Sequence, residues 1–129
     1  MSEPSLPDAA AGMLAASAPH IREASSFAAL KDWGPQPDVL AGQSRSSGRL
    51  LYKNPETGTE SGIWVCTPGR WRLRIPRDEF CHFVAGRATY RSDEGEVIEA
   101  LPGTAILFPK GWTGECSVLE TIRNLYFLT

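Results

Sequence analysis

The stretch Trp71-Arg72-Leu73-Arg74-Ile75-Pro76-Arg77-Asp78-Glu79-Phe80-Cys81-His82-Phe83-Val84-Ala85-Gly86 decides the fold class. Before Pro76, apolar and charged residues alternate one for one, the period of a strand with a single buried face. Trp71, Leu73 and Ile75 share one side of that strand and Arg70, Arg72 and Arg74 the other. The apolar set is expected inside, because three buried guanidiniums would each need a partner. In the opposite register Arg72 and Arg74 would form a cationic pocket suited to a carboxylate. After Asp78 the alternation resumes. Glu79, Cys81 and Phe83 fall on one face, and Phe80, His82 and Val84 on the other.

Outward from this stretch, everything after Gly48 reads as short β-strands separated by turns. Runs rich in Ile, Val, Thr, Tyr, Phe and Trp are expected near 49–53, 62–67, 71–75, 80–84, 87–91, 96–100, 104–108, 116–120 and 122–128. Pro55-Glu56-Thr57-Gly58, Pro68-Gly69 and Asp93-Glu94-Gly95 supply turn chemistry between them. No helical period of any length follows Gly48. Ahead of it, Ser26 before Phe27-Ala28-Ala29-Leu30 caps one short helix ending near Trp33-Gly34, or the segment is irregular. Residues 1–19 read as a mobile tail, 20–46 as an N-terminal extension and 47–129 as the domain proper. Strands of this number and length indicate an all-β jelly-roll barrel rather than a βαβ fold.

Composition narrows the functional classes. The net charge of −2 gives no general attraction to nucleic acid or anionic membrane. No window approaches the length of apolar chain that spans a bilayer. Three cysteines, Cys66, Cys81 and Cys116, are odd in number and widely spaced, which argues against a disulfide framework and for a cytoplasmic setting.

Two spacings carry a family resemblance. Glu79 is followed after six residues by Gly86, and Gly103 after five by Pro109-Lys110-Gly111. These resemble the two signatures of cupins. With Gly62–Trp71, Arg77–His82 and Phe108–Gly114, the chain from Ser47 to Thr129 is similar to the small single-domain cupins grouped with the (S)-ureidoglycine aminohydrolase cupin domain. The resemblance implies a jelly-roll barrel closed around one pocket, a homodimer, and chemistry on a small molecule. It also places a metal site, from which this chain departs. The histidine positions before the glutamate hold Leu73 and Ile75, or Arg72 and Arg74 with a four-residue gap, and the last holds Gly114; of the usual ligands Glu79 alone remains. No metal is assigned and no cofactor is expected to be tightly bound. A divalent ion would be held weakly at most.

Glu79 is the candidate catalytic acid or base, since a carboxylate inside the barrel has its pKa raised unless a cation or N–H meets it. The alternative is a structural glutamate bonded to barrel backbone or to Tyr126. Trp71, Leu73, Ile75, Cys81, Phe83, Trp112, Cys116 and Tyr126 are expected to line the pocket, with Trp112 at its mouth. His82 falls on the face opposite Glu79 and reads as a packing residue. The expected function is a small-molecule-binding cupin acting as hydrolase, isomerase or lyase on a nitrogenous or carboxylated metabolite. The alternative is a non-catalytic ligand-sensing or structural dimer.

Overall fold

A computed structural model describes residues 17–129. Among the described residues nine strands form one curled antiparallel sheet: β1 (Lys31–Pro35), β2 (Val39–Ala41), β3 (Arg45–Lys53), β4 (Glu60–Cys66), β5 (Gly69–Arg74), β6 (Glu79–Ser92), β7 (Val97–Ala100), β8 (Ala105–Phe108) and β9 (Thr113–Leu128). Among the described residues there is no helix. The fold is all-β, as the strand-and-turn pattern of the sequence leads one to expect.

Two long strands organise it. β9 pairs with β5 through its first half, Thr113↔Arg74 to Val118↔Gly69, and with β4 through its second, Ile122↔Cys66 to Leu128↔Glu60. β6 runs along the other edge of β9 for nearly its whole length. β8 then adds to the first half of β6 and β7 to the second. The sheet thus has two wings, β1-β3-β4-β9-β6-β8 and β2-β5-β9-β6-β7, which share β6 and β9 and fold toward each other.

The crease lies at Gly86. The register of β6 against β9 slips between Phe83 and Ala88, and the buried positions change from Cys81 and Phe83 to Ala88 and Tyr90. Such bulges bend a strand and re-aim its side chains. Gly86 has φ +81°, and a Cβ there would run into the Thr121 carbonyl. Only glycine meets both demands. The expected break between strands 80–84 and 87–91 is therefore a bend within one strand, and 116–120 and 122–128 are likewise halves of β9.

The N-terminal segment corrects the helix expectation. Residues 22–26 form a turn, and Trp33-Gly34 belong to β1. The run Phe27–Leu30 is too short to offset helix nucleation, and Phe27 lies instead beneath the Arg49 guanidinium, 5.1 Å from its ring centre. β1, β2 and the start of β3 place residues ahead of Gly48 in the sheet. The tail expected over 1–19 lies, apart from Ser17–Pro19, outside the described residues.

Candidate functional site

Alternation fixes which side chains enter the barrel. On β5, Trp71 is buried and Leu73 half-buried, while Arg70, Arg72 and Arg74 are exposed, and Ile75 beyond the strand is buried. Arg72 grips Asp93 with two hydrogen bonds of 2.7 and 2.9 Å and Arg70 bonds Glu115 at 2.8 Å, so these charges are matched on the outside. The cationic-pocket register does not occur. On β6, Cys81 and Phe83 are buried with Glu79 half-buried beside them, and Phe80 and His82 are exposed. No bulge falls between Glu79 and His82.

Much of the interior is aromatic. Phe108 packs on Tyr90 and on Trp112 with ring centres 5.0 and 5.1 Å apart, Phe83 lies 5.9 Å from Tyr90, and Trp64 meets Trp71 edge-on at 6.4 Å. Cys116 is fully buried opposite Trp71 and Tyr90. Trp112 sits half-buried at one end of the barrel, where it walls a surface cleft of about 360 Å³ shared with Ser92, Asp93, Glu94 and Glu96. Backbone bonds tie this end together. Gly111 N–H donates to the Ile75 carbonyl at 2.7 Å, and Ile75 N–H donates to the Trp112 carbonyl at 2.9 Å.

At the start of β6 the structure gathers a polar group. Glu79 stands opposite Phe108 on one side and Leu128 on the other, and Leu128 in turn stands opposite Glu60. One row inward, Cys81 stands opposite Tyr126. The Cys81 thiol donates to Glu79 Oε2 at 3.5 Å, and the Tyr126 hydroxyl donates to Glu60 Oε2 at 2.6 Å. Tyr126 therefore serves Glu60, and not Glu79 as the structural alternative would have it. Burial pushes the Glu79 pKa up, the Cys81 thiol pulls against that shift, and the Glu60 carboxylate adds to it. The same burial, with Glu79 beside it, pushes the Cys81 thiol far up, so Cys81 is held protonated as a donor.

Glu60 is the member of this group that the sequence did not single out. It lies 19 positions before Glu79, in a turn-rich region, and meets it only through the shared neighbour Leu128. Strand periodicity carries no such cross-sheet signal. Glu60 also lies 3.9 Å from Lys53 Nζ.

The metal site that the cupin fold implies does not fit these residues. Leu73 pairs directly with Gly114, neither offering a donor, and Ile75 offers none. A Cβ at Gly114 would strike the Arg91 carbonyl and lie 2.8 Å from Trp112 Cη2, so an imidazole has no room there. Among the described residues no three His, Cys, Asp or Glu side chains converge as a ligand set.

Comparison with known proteins agrees with this fold. The EutQ-like cupin domain matches residues 54–126. No curated protein matches the chain. Among solved structures, a putative ethanolamine utilization protein Q from Salmonella typhimurium LT2 superposes with a TM-score of 0.57 at 20% identity, over 65% of this chain and 68% of that one. The Clostridium difficile EutQ protein gives 0.58 at 21% identity, over 70% and 75%. A DUF861-family protein of unknown function from Pseudomonas syringae gives 0.72 at 16% identity, over 80% of this chain and 45% of that one. At these identities the likeness is one of fold. No helix among the described residues is long and apolar enough to cross a membrane.

Proposed function

This chain belongs to the EutQ-like cupin family, and we propose that it binds a small metabolite inside its barrel and acts on it by acid–base chemistry at Glu79, without a tightly held metal. The observation that carries this reading is the placement of Glu79. It is a carboxyl group on the inner face, raised in pKa by burial and met by a thiol rather than by a cation. A buried carboxyl with a raised pKa holds its proton more firmly than a free one, which is the direction in which general acids are tuned. The reaction class is a hydrolysis, isomerisation or elimination on a nitrogenous compound. A carboxylated substrate is less suited, since both ionisable carboxyls of the group, Glu60 and Glu79, would repel it and every described arginine of β5 faces outward. Tyr126 and Glu60 would then hold the polar end of the substrate, while Trp71, Phe83 and Cys116 form the apolar wall.

The reading extends to assembly and setting. A cytoplasmic homodimer is proposed, formed through β3: β1 covers only Arg45–Gly48, and among the described residues no strand pairs with the same edge over Arg49–Lys53. An open edge of this kind invites a second strand. The kinship with the ureidoglycine aminohydrolase cupin domain belongs to this proposal too, although the missing histidines argue against that enzyme's own activity. Native mass spectrometry of the protein as isolated, followed by turnover assays on a panel of small amines, amides and amino acids, tests the function. Glu79→Gln is expected to abolish any turnover found while circular dichroism stays unchanged. Full activity in that variant would sink the assignment, and sedimentation as a monomer at high micromolar concentration would sink the dimer.

A further inference from the structure

One row of side chains on the outer face of the sheet is apolar and open. Phe127 on β9 pairs with Ser61 on β4 and with Phe80 on β6, and Phe80 pairs in turn with Leu107 on β8. Directly paired residues share a face, and Phe80, Phe127 and Leu107 are 45%, 45% and 63% exposed. The next outer row, Ile63, Leu125, His82 and Ala105, crosses the same four strands. Neither row holds a carboxylate, a lysine or an arginine. At the β4 end the surface changes from raised to hollow. The N-terminal segment crosses the sheet there, and Pro19, Ile21 and Ala24 enclose a cleft of about 300 Å³ with Ser61, Ile63 and Leu125. Phe27 against Arg49, and the 3.0 Å bond from Arg123 Nη1–H to the Ala24 carbonyl, hold that segment in place. The row therefore begins in a hole at Ser61 and ends in a knob at Leu107, with two phenylalanines between.

We infer that this face is a two-fold interface with a second copy of the chain, in which Leu107 of each copy enters the cleft of the other. The order of the row is what selects this partner. β9 and β6 lie side by side at its centre, and β4 and β8 lie one strand further out on either side. A two-fold axis running along the strands between β9 and β6 exchanges the halves of the row. It sets Phe80 of one copy on Phe127 of the other, and Leu107 of one copy over Ser61 of the other. Knob and hole then coincide twice. Sheets pack face to face in this aligned manner, about 10 Å apart. A lone exposed leucine needs no explanation, whereas a contiguous apolar patch marks an interaction site. At about 200 Å² for each such side chain fully exposed, Phe80, Phe127 and Leu107 present about 300 Å² per copy. A pair would cover about 600 Å², close to the apolar share of the smallest specific interfaces, which bury about 1,200 Å² in all. An uncharged face also meets its own copy without setting like charges against each other. The inference goes beyond the pairing proposed at the β3 edge, which uses backbone groups at the rim and leaves this face open.

Sedimentation velocity of the full chain at high micromolar concentration, with Leu107→Asp beside it, is the first measurement. Leu107 is exposed, so the variant should keep the circular dichroism of the wild type while its assembly has half the mass. Cross-linking keeps the inference testable should that variant not fold. The three native cysteines are buried, and a chain carrying both Ser61→Cys and Leu107→Cys should be joined to a second chain by bismaleimidoethane. Within one chain these two positions lie three strand spacings apart, about 14 Å. Each single-cysteine variant should give at least fivefold less covalent dimer, because like positions fall on opposite sides of the axis. An associated wild type whose mass Leu107→Asp leaves unchanged would overturn this face and leave the β3 edge standing. A monomeric wild type would overturn it as well, and would leave residues 1–16 or a different protein as the cover of the row. Equal cross-linking by single and double variants would show contact without the two-fold register, and would also overturn it.

Discussion

Cys81 and Glu79, two residues apart on β6, share the inner face closely enough for the thiol to donate to the carboxylate at 3.5 Å. The pairing is unusual in direction, because cysteine is the weak donor and burial is what keeps it protonated. A charged Glu79 is therefore poorly compensated, and its pKa rises above the ordinary glutamate value of 4.5.

That shift sets a pH dependence of stability. A carboxyl whose pKa is higher folded than unfolded contributes stability that is complete below about pH 4.5 and is lost as pH rises through its folded value. Glu79→Gln does not titrate. Its melting temperature should therefore gain on the wild type steadily from pH 4.5 toward neutrality, by differential scanning calorimetry. A constant gap across that range would show that Glu79 is not perturbed.

Tyr126→Phe removes the 2.6 Å bond to Glu60 and leaves a half-buried carboxylate without its hydroxyl donor. Hydrogen bonds to charged groups contribute about 1.5–3 kcal/mol, and a loss of that size is expected in urea unfolding. Tyr126→Phe combined with Glu60→Gln should recover part of it.

All three cysteines are buried, and burial pushes Cys66 and Cys116 up to about 12. Thiolate is the reactive form, so iodoacetamide at pH 8 should label none of them in the folded protein and all three in urea, read by intact-mass spectrometry. Rapid labelling of Cys81 in the native state would show a cation nearby that the structure does not place there.

Two glycines with left-handed backbone separate sterics from strain. Gly86→Ala drives a Cβ into the Thr121 carbonyl at the crease of the barrel and should cost about 3–5 kcal/mol or prevent folding. Gly95→Ala, with φ +100° and open space around it, should cost about 1 kcal/mol. Equal losses would mean that β6 and β9 separate at the crease without harm.

Metal removal gives the last test. With Leu73 and Ile75, or Arg72 and Arg74, and Gly114 where the cupin resemblance puts metal ligands, treatment with EDTA is expected to leave the melting temperature within about 1 °C. Protein purified without an affinity tag should carry well under one transition-metal ion per chain. Stoichiometric Mn, Fe, Ni or Zn would overturn the metal-free reading.

The sequence by itself determined the faces. Side-chain alternation has a fixed period of two, so the spacing of Trp71, Leu73 and Ile75 against Arg70, Arg72 and Arg74, and of Glu79 and Cys81 against His82, was sufficient to separate inner from outer residues on β5 and β6. It also carried the likeness to cupins, because Glu79-x6-Gly86 and Gly103-x5-Pro109 are local spacings; the finer kinship with the ureidoglycine aminohydrolase cupin domain belongs to the proposal. Tertiary structure alone decided what meets what. Whether a turn-like glycine ends a strand or bends it depends on the strand alongside, which is why Gly86 became a crease and β6 and β9 ran on as long strands. The helix expected after Ser26 gave way to packing of Phe27 against Arg49, a contact no local pattern encodes. The pairing of Tyr126 with Glu60 arises from the register of β9 against β4, which sets Leu128 opposite Glu60 and Gly62 opposite Tyr126. Periodicity says which way a residue points; only closure of the barrel says what it finds there.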